Sequence, residues 1–207
     1  MNLTKLTNHI YLVQFRTTLQ MCRALLRFEE HAENPHFKDK VFTKKEIYSW
    51  YKKHQDKDVR KNFADGFCLN GKAINSLKNW KLDRYETALI KLFDGTRLTK
   101  NTVVIFIANN SEKLTFKHEY CHALYYTNKI YKSRVNKTLK QFLKKNRAIF
   151  AILRKFYHDV GYVNKNNFLD EINAFIVEDP KYFQTEYGIN LEDIYLDLNT
   201  LYEQYKV

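Results

Sequence analysis

The chain has 207 residues, of which 44 % are hydrophobic and 28 % charged, with only five Gly and two Pro. That length bounds it at one domain or two, and that balance excludes disordered, collagen-like and mucin-like classes. The formal net charge of +12 is what a solvated Lys-rich exterior gives, and it also attracts nucleic acid, anionic membrane or acidic protein.

Cys22, Cys68 and Cys121 are odd in number and widely spaced, with no CxxC. This fits free, mostly buried thiols in a reducing compartment. The first 28 residues, MNLTKLTNHIYLVQFRTTLQMCRALLRF, hold no uninterrupted apolar run and no small-residue cleavage site, so no classical signal peptide is expected. No run approaches the roughly 20 apolar residues of a membrane span. The expectation is a soluble protein, cytoplasmic or exported without a classical signal.

In chain order, Ile10–Phe15 (IYLVQF) is compatible with a strand or with the start of a helix through Arg27, because Leu19, Cys22, Leu25 and Leu26 keep helical spacing. Thr43 with Glu46 makes a capping-box start for KKEIYSWYKKH. Asp65-Gly66 and Asn70-Gly71 are turn signals. Asp83 to Phe93 reads as a short amphipathic helix, and Thr102–Ala108 (TVVIFIA) as a β-branched, apolar strand. Asn109-Asn110-Ser111 breaks that strand, and Ser111 can cap a helix through about Thr127.

Val135–Val160 reads as one long helix with the apolar stripe Val135, Leu139, Phe142, Leu143, Ile149, Phe150, Leu153, Phe156 and Tyr157. No Asp or Glu occurs from Tyr120 to His158, which makes this the strongest basic block of the chain. Gly161 stops the helix. A further helix runs from about Asn167 to Asp179 and stops at Pro180, and Asn190 caps a last one. The fold class expected is α+β and helix-rich with a small sheet. It forms a single domain over 1–207, mainly helical over about 1–100.

The chemistry concentrates in residues 116–128, FKHEYCHALYYTN. On a helix, His118 and His122 project from one face, one turn apart, and can grip a single metal ion. Glu119 stands beside the first of them, placed to take a proton from a metal-bound water. A scramble with 7 His and the same glutamates makes HExxH in roughly 1 chain in 90, so the motif needs its context. Here a strand precedes it and no Pro or Gly interrupts its helix. Cys121 points off the histidine face and is expected in the core.

A catalytic zinc takes three protein ligands and one open position. Tyr125 and Asn128 occupy the places where metzincins carry Gly and a third His, so the third ligand must come from further on. LDEINAFIVED, residues 169–179, offers Glu171 in the first turn of a helix, with Ala174 one turn on to allow close packing. As a plain structural residue, Glu171 would serve the helix dipole. Asp170, Glu178, Asp179 and His158 stay open as alternatives, with Glu178 also placed to act behind the ligands. His9, His31, His36 and His54 are expected at the surface.

HEYCHALYY, the basic helix, Gly161-Tyr162 and DEINAF together resemble a gluzincin-type HExxH zincin over roughly Thr102 to Asp179. Phe175 stands where Tyr is usual in the DExxAY-like segment. The resemblance implies a zincin-like catalytic part over 101–207 and a zinc-dependent metallopeptidase. His118, His122 and Glu171 would hold Zn²⁺, with Glu119 as general base and Tyr162 as a donor to the developing oxyanion. It implies a protein or peptide substrate, acidic if the basic block steers it. The strand Thr102–Ala108 would offer an edge to an extended substrate. The rival readings are a catalytically silent zincin-fold binding module and a basic nucleic-acid-binding helical protein. The second has no nucleic-acid motif in its favour.

Overall fold

Ile10–Phe15 is a strand, and the helix that the same pattern permitted is a separate element. A computed structural model describes residues 1–38, 40–55, 64–108, 113–160 and 165–206. In it β1 (Asn2–Lys5) pairs antiparallel with β2 (Ile10–Phe15). Thr17 then ends the strand and caps α1 (Thr18–Glu33), its hydroxyl accepting from Gln20 N at 3.1 Å. The predicted capping box also forms. Thr43 N donates to Glu46 Oε2 at 2.6 Å and opens α2 (Lys44–Gln55).

The two turn signals bracket a strand, β3 (Gly66–Asn70). Asn70 is both its last residue and the cap of α3 (Gly71–Ser76), through a bond from Ala73 N at 2.9 Å. Gly71 is needed for close approach: a Cβ there would lie 2.4 Å from Thr99 O. α4 (Arg84–Lys91) carries a full capping box from Asp83 and Glu86.

β4 (Val103–Ala108) is buried at every position. The sheet order is β1-β2-β4-β3, with β4 parallel to β2 and antiparallel to β3. Both sides of β4 are therefore hydrogen-bonded, and the expectation that it offers an edge to substrate is overturned. An all-apolar, β-branched run is what a strand covered on both faces requires.

β1–β4 and α1–α4 belong to one compact unit, Met1–Glu112; a second spans Lys113–Val207. The first unit holds all four described strands together with α1–α4. Its core joins Val13, Phe15, Leu25, Phe28, Phe67, Leu89 and Phe106. One buried ion pair crosses it. Arg27 Nε donates to Glu86 Oε1 at 2.7 Å and Arg27 Nη2 to Glu86 Oε2 at 2.5 Å. Arg27 also donates to the carbonyls of Phe42 (3.1 Å) and Lys81 (2.9 Å).

The second unit consists, among the described residues, of helices: α5 (Lys113–Thr127), α6 (Lys129–Lys145), α7 (Arg147–Asp159), α8 (Phe168–Glu178), α9 (Pro180–Tyr187) and α10 (Glu192–Tyr205), with a 3₁₀ turn at Lys165–Asn167. The long basic helix is two helices. Asn146 leaves the helical region at φ −117°, ψ 66°, and its side-chain amide donates to Phe142 O at 3.0 Å. That local bond competes with the helical ladder, while the apolar stripe runs on without a gap. α6 starts at Lys129 rather than Val135, because Asn128 Oδ1 accepts from Ile130 N and Tyr131 N. Pro180 ends α8 and also opens α9 at its first turn, capped by Asp179, a position that suits proline. The predicted caps at Ser111 and Gly161 lie outside the described residues. Among the described residues no helix is long and apolar enough to cross a membrane.

Candidate metal centre

His118 through Tyr125, eight consecutive residues of α5, are buried. A helix covered on all sides buries polar side chains too, and these must find partners. α8 packs against α5 and supplies them. Ala174, 0 % exposed, lets the two helices approach, and Asp170, Glu171 and Glu178 bring three carboxylates to the two histidines.

The histidine Nε2 atoms face each other at 3.1 Å. Glu171 Oε2 stands 3.5 Å from His122 Nε2 and 4.0 Å from His118 Nε2. Donors about 2.0–2.2 Å from a tetrahedral zinc lie about 3.3–3.5 Å apart, so this triangle is close to the size such an ion needs. His118, His122 and Glu171 are all buried and can hold a metal ion. Two imidazoles and one carboxylate are a donor set suited to zinc.

Each imidazole meets a second carboxylate on its other nitrogen. His118 Nδ1 lies 2.8 Å from Glu178 Oε2, and His122 Nδ1 lies 3.0 Å from Asp170 Oδ1. Such partners fix the tautomer, aim Nε2 at the metal and raise its basicity. Phe175 packs edge-on against His118 at 4.7 Å and Phe156 edge-on against Phe175 at 4.9 Å, so an apolar wall limits the ring's rotation.

Glu119 is 7 % exposed. Burial pushes its carboxyl up, against the pull of the two histidines. Asp170 is pushed up by burial as well, with His122 opposing. Burial works against a charged His122, but Asp170 and Glu171 outweigh it and hold the imidazole well above the ordinary histidine range. A metal ion at Nε2 then competes with the proton that these carboxylates hold on the imidazole. Metal affinity should rise with pH through that titration and fall below it. Calorimetry in buffers of different ionisation enthalpy is expected to show proton release as Zn²⁺ binds; release and affinity that are both independent of pH would remove His122 from the ligand set.

The remaining candidates separate cleanly. His158 is exposed, and Asp179 caps α9 through Lys181 N at 3.0 Å; neither joins the cluster. Cys121 is buried, interacts with Tyr131, and burial pushes its thiol up to about 12. His9, His36 and His54 are exposed, whereas His31 is half-buried with its ring edge-on to Trp80 at 5.2 Å. Tyr162 lies outside the described residues. Tyr157 escaped the sequence reading as anything but core. It is buried in α7 and pushed up to about 12 by burial and by the charges of Glu171 and Asp170. Only a helical count that placed Tyr157 opposite the DE pair would have found it. Comparison with family models, curated proteins and solved structures found no match to this chain.

Proposed function

We propose that the chain is a zinc metallopeptidase of gluzincin type, in which His118, His122 and Glu171 hold the metal and Glu119 is the general base. The reading rests above all on one observation. Three buried donors form a triangle of zinc dimensions, while a further buried carboxylate, Glu119, sits next to them in sequence without being one of them.

Bound Zn²⁺ would supply a Lewis acid for a carbonyl and bring the pKa of a water toward neutrality. The protein supplies the rest. Glu178 and Asp170 orient the two imidazoles through Nδ1. Glu119 accepts a proton from the attacking water and passes it to the leaving amine. A carboxyl raised by burial is better matched to giving that proton back near neutral pH than an exposed one.

The direct test is metal content by mass spectrometry. The purified chain should hold about one zinc per protein, and Glu171→Ala should lose most of it. Retention by the variant would move the third ligand elsewhere, and a wild-type chain that takes up no zinc when supplied would end the proposal.

A further inference from the structure

α6 presents Lys129, Lys132, Ser133, Asn136, Lys137 and Lys140 along one open groove of about 480 Å³. Their spacing of three and four puts them on one helical face. Three features set this face apart from an ordinary solvated one. First, among the described residues none of the four lysines has a carboxylate within ion-pair distance, and the sequence from Tyr120 to His158 contains no Asp or Glu to supply one nearby. Repelling charges held on one face gain most from an anionic partner. Second, two of the lining residues, Asn136 and Lys132, are held by a buried tyrosine. Tyr125 is 6 % exposed, donates its hydroxyl proton to Asn136 Oδ1 at 2.7 Å and lies under Lys132 Nζ at 4.6 Å. Third, Tyr125 belongs to α5, one turn beyond His122, so Asn136 is tied to the helix that carries both histidines.

We propose that this groove docks an acidic segment of a protein, and that the segment belongs to the substrate. The second half rests on the peptidase reading. From Lys129 to Lys140 the helix rises about 16 Å, which an extended segment of about five residues spans. Carboxylates suit the site better than nucleic acid does. Among the described residues no aromatic ring lines the groove, so it offers a base nothing to stack on.

The test uses the full-length chain and a fluorescein-labelled deca-glutamate peptide, followed by anisotropy at low ionic strength. Wild type should bind it, and Lys132→Glu combined with Lys137→Glu and Lys140→Glu should weaken binding about tenfold or more. A deca-glutamine peptide should bind no better to wild type than to the variant. The three lysines are exposed, so zinc content and helical circular dichroism should be unchanged. If the triple variant fails that check, Lys132→Gln with Lys140→Gln serves, with a loss of about threefold. Unchanged deca-glutamate binding in either variant overturns the proposal, and so does tighter, lysine-dependent binding of a deca-thymidine strand, which would make the surface one for nucleic acid. For hydrolysis, a peptide carrying a glutamate run should show a raised KM and unchanged kcat in the triple variant, while a neutral peptide shows neither change. Lysine-dependent peptide binding by a chain that cleaves nothing supports the docking surface and sinks the peptidase reading alone.

Discussion

Glu119→Gln is expected to lower peptide hydrolysis about 10²–10⁴-fold and to leave zinc content as it is in wild type. The amide keeps the volume and the planar shape of the carboxylate in a site where the side chain is 7 % exposed, so packing gives no reason for a change in metal binding. It takes away the one property that the mechanism needs, a lone pair basic enough to accept a proton. The change also removes a carboxyl group that burial pushes up, so the variant should fold at least as well as wild type. The measurement pairs kcat on a fluorogenic peptide mixture with metal analysis of the same sample. Full activity with zinc retained would exclude Glu119 as the base. Loss of both activity and zinc would show that Glu119 supports the ligands instead.

The largest stability effect should come from the other unit. Glu86 has no exposed side-chain surface, and its carboxylate receives Arg27, Lys44 Nζ at 3.4 Å and the backbone N–H of Asp83 at 2.8 Å. Glu86→Ala leaves the Arg27 guanidinium buried without its counter-charge, and the expected loss is about 3–5 kcal/mol. Urea titration reads it directly through tryptophan fluorescence, because Trp50 and Trp80 both lie in this unit and Trp80 stands 5.3 Å from the Arg27 guanidinium. The double change Glu86→Leu with Arg27→Met removes both charges together and should recover much of the loss. A cost below about 1 kcal/mol for Glu86→Ala would mean that water reaches Arg27.

How much of this was legible in the chain depended on how local the cause was. The capping box at Thr43, the short helix after Asp83, the motif helix and the strand Val103–Ala108 are set by residues a few positions apart, and their signals were clear. Glu171 was legible because a carboxylate in the first turn of an apolar helix is a short-range pattern. Glu178 was legible as a partner two turns further on the same face. That Asp170 serves His122 as a hydrogen-bonding partner was not legible, since it depends on how α8 rotates against α5. The central place of β4 depends on strands far away in sequence, and nothing in TVVIFIA distinguishes a centre from an edge. β1 and β3 are too short for their period to stand out among Asn, Thr and Gly. The break at Asn146 is a single side-chain bond inside an unbroken apolar stripe.

The carboxylate partners of the two histidines carry a further consequence. Glu119, Asp170, Glu171 and Glu178 place four acidic groups around two imidazoles in a buried pocket of an otherwise strongly basic chain. Such a pocket is an electrostatic debt that a divalent cation cancels locally. The same ion would tie α5 to α8 across a loop from His122 to Glu171, a closure whose entropy cost falls on the unfolded chain. Folding and metal loading of this unit would then be linked equilibria, its melting point moving with the free metal concentration. In that case the zinc would fasten the helices together as well as serve the chemistry.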